Sequence, residues 1–208
     1  MTGCRCAFDT PAIPPQVDLI ISPDLMLTPG MELAGGQSVA IKDGAIVAVG
    51  RSADIAASYR ARDTMRADGK LLLPGLVDGH THTAQQLLRG RTFNERPMIW
   101  TRILVPFESN LDPPDVYDSA MLASIEMIRS GITCFADAGG PHAEQVAEAA
   151  IRSGLRAVIT RSTMDIGDSI PESMRETAES AVARNDELFL SHDGSGNGRV
   201  RIWFGLGR

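Results

Sequence analysis

The chain has 208 residues, 43% of them apolar, and a formal net charge of −6. That apolar share excludes an intrinsically disordered chain, and acids and bases spread along its whole length exclude the basic stripe that a nucleic-acid backbone binder needs. No apolar run reaches membrane-span length and residues 1–15 carry no secretory h-region, so the expected setting is the cytoplasm, with neither membrane nor nucleic acid as partner.

In chain order, residues 1–16 read as a flexible terminus holding Cys4 and Cys6; with Cys134 these are the three cysteines, and they form no disulfide framework. From residue 17 to 71 the pattern is a small β domain: VDLIIS (17–22), a break at Pro23 and Asp24, LMLTPG (25–30), then SVAIKDGAIVAVGR (38–51), in which Asp43 and Gly44 between alternating apolar runs signal a hairpin. Residues 53–66 read as a short helix, and Asp68-Gly69 as a turn. From residue 72 to 208 strands alternate with helices. The strands are expected at 72–82, 132–136, 155–162 and 199–206. The helices run from Asp112 as N-cap to Gly131, from Pro141 to Gly154, and from Pro171 to just before SHDGSGNG (191–198). That alternation predicts parallel strands and an α/β fold. Four strands are half of what a (β/α)8 barrel of about 250 residues contains, so the segment reads as the first half of such a barrel, preceded by a β domain that is itself incomplete.

Within PGLVDGHTHT (74–83), residues two apart on a strand face the same way, which sets His80 and His82 side by side. Cβ atoms roughly 6–7 Å apart let two neutral imidazoles converge on one ion at about 2.0–2.1 Å per bond. Two ordinary strand-end histidines are the plainer alternative, but burying both rings without partners would be costly, and a metal at a barrel mouth removes that cost. Asp78 falls on the same face, where it could orient a ligand or simply accept a hydrogen bond. Asp137, at the mouth of the second strand, could hydrogen-bond into the site.

The runs 39–50 and 73–82 resemble the opening of the amidohydrolase superfamily, a small β domain leading into a metal-dependent TIM barrel. LLRGR (87–91), Trp100, Pro106 to Glu108 and residues 121–137 resemble the branch containing adenosine-type, guanine and triazine deaminases and chlorohydrolases. The resemblance implies hydrolysis of a non-peptide C–N bond, or dechlorination, on a small heterocycle such as a purine, pterin or triazine. It implies one divalent metal, Zn²⁺ or Fe²⁺, with His80 and His82 as two of its ligands and the remaining ligands and proton-transfer groups beyond Arg208. It further implies a homo-oligomer for the full-length protein. By the same resemblance Gln85, Trp100 and Glu108, in the long connection between residues 83 and 112, would meet the substrate. Long loops after a barrel strand commonly wall the pocket. Two other readings stay open: a cyclic-amide hydrolase with a binuclear site bridged by a modified lysine, and a catalytically inactive truncated product. His142, in a βα connection, lies on the side of the site, whereas His192, after the third helix, lies on the opposite side. Arg89 and Arg91 read as solvated or structurally paired.

Overall fold

The structure is a computed structural model that describes residues 13–28 and 30–205. The expected terminal segment with Cys4 and Cys6 falls largely outside the described residues. The chain divides into two compact units, Met1–Pro74 and Gly75–Arg208. No helix among the described residues is long and apolar enough to cross a membrane.

In the first unit the central strand β1 (Gln16–Leu27) pairs antiparallel with β2 (Leu33–Gly35) and β3 (Gln37–Lys42), and β3 pairs antiparallel with β4 (Ala45–Arg51). The β3–β4 hairpin turns on Asp43 (φ 51°) and Gly44 (φ 75°), the two positive φ values that match a turn to the strands' own twist. Val17, Ile20, Ala40 and Ile55 form its small core.

Two sequence expectations change here. Pro23 does not break β1. It has no N–H to donate, but β3 takes residues 19–21 and β2 takes 25–27, so Pro23 occupies the stretch between the two antiparallel partners. The helix expected at 53–66 is only α1 (Ser52–Ser58); Tyr59 is already extended at φ −136°, and β5 (Arg60–Leu72) runs parallel to β1. A long ladder to a central strand satisfies far more backbone than another helical turn would, so tertiary pairing overrides local helix propensity.

The second unit carries a parallel sheet of β6 (Leu76–Thr81), β7 (Ile132–Asp137), β8 (Arg156–Ile159) and β9 (Val200–Ile202), neighbours in chain order. The first strand starts later than expected, at Leu76, and at Gly75 an added Cβ would lie 2.8 Å from the Thr133 Cβ, so this close approach to β7 requires glycine. The connection to β7 holds a 3₁₀ turn (Thr83–Leu88), a π-helical turn (Trp100–Leu104), α2 (Val105–Glu108) and α3 (Pro113–Arg129). Asp112 caps α3 in a capping box with Asp115, and Gly131 follows the helix at φ 81°.

The next helix is α4 (Ala143–Ser153), entered through His142 in the left-handed region (φ 51°) and closed by Gly154. The helix expected from Pro171 is split into a 3₁₀ turn (Glu172–Met174) and α5 (Ala178–His192). Between them Glu176 is drawn out of helical register by its ion pair with Arg161, and Thr177 caps α5 by accepting from the Ser180 N–H. α5 also extends past the expected boundary to His192. The last strand is correspondingly shorter than 199–206. Helices and sheet share one core in which Val116, Ala147, Phe135, Ile159 and Val200 are fully buried.

Candidate metal centre

The end of β6 is where the sequence's two neighbouring imidazoles arrive. His80 ends up exposed and His82 half-buried, on the same side of the strand, with ring centroids 5.2 Å apart and planes at 82°. His82 Nδ1 lies 2.8 Å from the Gly139 carbonyl oxygen. A carbonyl only accepts, so Nδ1 carries the hydrogen and the neutral ring keeps its lone pair on Nε2, the nitrogen then available to a metal. Strand spacing, the two rings on one side and this tautomer make the pair suited to a divalent ion of borderline softness. Among the described residues no three of His, Cys, Asp and Glu gather into a complete cage.

Beneath His82 lies a buried carboxylate. Asp137, at the end of β7, is 3% exposed; its Oδ2 accepts from the Thr83 N–H (3.0 Å) and the Thr83 hydroxyl, and its Oδ1 accepts from the Gly139 N–H (3.1 Å). Burial pushes the Asp137 carboxyl up, against the pull of these hydrogen bonds and of His82. Ser119 on α3 donates to the Thr83 carbonyl at 2.7 Å and accepts from the Gln86 N–H at 3.1 Å, locking the 3₁₀ turn to the helix.

Two of the three residues named for substrate contact meet here. Gln85 Nε2 donates to Glu108 Oε1 at 2.6 Å, and Glu108 is 4% exposed. Burial raises the Glu108 carboxyl above its usual range; the Gln85 hydrogen bond and the attraction of His82 oppose that rise, while Asp137 adds to it. Trp100 takes no part in this hydrogen-bonded cluster and stands 42% exposed on its π-helical turn. The Asp78 carboxylate accepts the backbone N–H of His80 at 3.1 Å.

Beside the cluster opens a cleft of about 300 Å³ lined by Glu108, Gly140, His142, Arg161, Ser162 and Glu176, large enough for a small ligand. His142 is held at its rim by Nε2 against the Leu111 carbonyl (3.2 Å). Arg161 and Glu176 form a bidentate pair at 2.7 and 2.8 Å. Sequence reasoning did not single out Thr83, Gly139, Arg161 or Glu176. The one local signal was the Asp-Ala-Gly-Gly run after β7, since Gly139 sits at φ 109°, open only to glycine. Arg89 pairs with Glu126 on the exposed side of α3.

Residues 71–203 match the Amidohydrolase family. The chain belongs to that family. It is 34% identical over 163 residues to a 5-methylthioadenosine/S-adenosylhomocysteine deaminase of Desulforamulus reducens, covering 78% of this chain and 36% of that protein. Identity is also 34% over 190 residues to a 5'-deoxyadenosine deaminase of Methanobrevibacter smithii, 90% of this chain and 41% of that one. Its fold is similar to a zinc-bound adenosine deaminase from Xanthomonas campestris, with a TM-score of 0.81 and 27% identity over 92% of this chain and 43% of that one. The chain therefore spans well under half the length of the relatives it matches.

Proposed function

We propose that the chain is the amino-terminal part of a metal-dependent aminohydrolase that removes the exocyclic amine of an adenine-type nucleoside. In this reading 75–208 supplies the first four strands of a (β/α)8 barrel. Four parallel strands adjacent in chain order support it, as do the apolar side chains of Leu76, Val77 and Trp203, which stand 53%, 68% and 61% exposed. The substrate class rests on the adenosine-type deaminases among the relatives, and zinc, rather than iron, on the zinc-bound structural neighbour.

The observation that carries the proposal is the His82 tautomer: the Gly139 carbonyl accepts from Nδ1–H and leaves the Nε2 lone pair available, in a ring whose centroid is 5.2 Å from that of His80. His80 and His82 would hold two positions of one Zn²⁺. When bound, the ion lowers the pKa of a coordinated water toward about 7 and so supplies hydroxide at neutral pH. Glu108, with one oxygen engaged by Gln85 and its side chain lining the cleft, would accept a hydrogen bond from substrate. Gln85 fixes that carboxylate's orientation and is a positioning residue.

The test is ammonia release from purine nucleosides by the zinc-loaded full-length protein, compared with its Glu108→Gln and His82→Gln variants. Turnover of an adenine nucleoside that His82→Gln abolishes, and that Glu108→Gln cuts through KM or kcat by at least tenfold, is expected. Absence of ammonia release across adenine nucleosides, with zinc bound, would overturn the proposal.

A further inference from the structure

We propose that Asp137 is the positioning residue that sets the His82 imidazole for metal binding, acting from both ends of that residue at once. The inference rests on the reading of His82 as a ligand and adds what holds it. One carboxylate oxygen of Asp137 accepts the Gly139 N–H at 3.1 Å, and the carbonyl of the same Gly139 accepts His82 Nδ1–H at 2.8 Å. The other oxygen accepts the Thr83 N–H at 3.0 Å, which is the N–H of the peptide linking His82 to Thr83, and the Thr83 hydroxyl as well. The ring is thus held at Nδ1 through Gly139, and the backbone that carries it through Thr83.

Residue 139 can hardly be anything but glycine. Its φ is 109°, and an added Cβ would come within 3.0 Å of Ser162 Oγ and 3.2 Å of the Ser162 backbone nitrogen. A buried carboxylate with three donors aimed at it also answers a question that burial alone leaves open: what offsets the cost of removing Asp137 from water. No water or solvent-facing group is needed to explain its position.

Outer partners of metal-bound histidines typically govern affinity by 10–100-fold. An asparagine at 137 offers a single acceptor oxygen to three donors and turns an NH₂ toward one of them, so one end of the grip is released. In the full-length protein Asp137→Asn is expected to weaken zinc binding, read by competition with a chromophoric chelator, by about 10–100-fold. It is also expected to speed exchange of the His82 Nδ1–H proton seen by nitrogen-15 NMR. Thr83→Val, which leaves the carboxylate's charge in place, should move both readouts the same way but less, and Thr83→Ser should retain wild-type values. Should Asp137→Asn fail to fold, Thr83→Val against Thr83→Ser carries the test alone. Wild-type zinc affinity in Asp137→Asn and Thr83→Val, with affinity lost in His82→Gln, would overturn the positioning role and leave the ligand reading standing. Unchanged affinity in His82→Gln would instead remove the ligand reading itself.

Discussion

The ion pair between Arg161 and Glu176 offers the most direct check on how the cleft wall is held. Both guanidinium nitrogens meet both carboxylate oxygens, at 2.7 and 2.8 Å, with the two side chains only 15% and 7% exposed. Replacing one member of a buried pair costs about 3–5 kcal/mol, because the survivor keeps its desolvation penalty without its partner. Arg184 approaches the same carboxylate at 3.8 Å but is 62% exposed, so it recovers part of that loss through solvent-screened attraction. Arg161→Met is therefore expected to destabilise at the lower end, about 3 kcal/mol. Trp100 and Trp203 are the chain's two tryptophans and both belong to the unit Gly75–Arg208, so selectively excited tryptophan fluorescence during urea unfolding reads that unit. With a slope of about 2 kcal/mol per molar urea, the midpoint should fall by about 1.5 M. The double variant Arg161→Met, Glu176→Met removes both charges together and should return to within about 1 kcal/mol of wild type, far short of the sum of the two single losses. A single variant within about 1 kcal/mol of wild type, or a double variant no better than the single, would refute the reasoning.

Other perturbations test the scaffold. Phe135, 1% exposed in the middle of β7, should cost about 3–5 kcal/mol when truncated to alanine, seen in the same urea assay. Asp112→Ala removes the side-chain half of the α3 capping box and should cost about 1 kcal/mol, with helical circular dichroism otherwise retained. Arg89 holds the exposed Glu126 carboxyl below its ordinary value of 4.5. That contribution to stability is present above 4.5 and is lost as pH falls through the lower folded-state value, so stability measured against pH below 4.5 should decline less steeply in Arg89→Gln than in wild type.

Local chemistry was enough to read much of the chain's punctuation. Asp112 and Gly131 bound α3, Gly154 ends α4, and Asp43-Gly44 turns the hairpin, because caps and turns are settled by residues adjacent in sequence. The pairing of His80 with His82 was equally legible, since alternation along a strand is a local rule. Where a distant partner competes, sequence reading failed: residues 60–66, the first half of β5, looked helical until β1 claimed their backbone, and the helix expected from Pro171 broke where Arg161 pairs with Glu176. The site's interior belongs to that second class. Thr83, Asp137 and Gly139 come together only when β6 and β7 lie side by side, and the carbonyl that fixes the His82 tautomer is 57 residues away along the chain. A donor type can be read from one residue, but its proton, its orientation and its company are decided by whatever the fold packs against it.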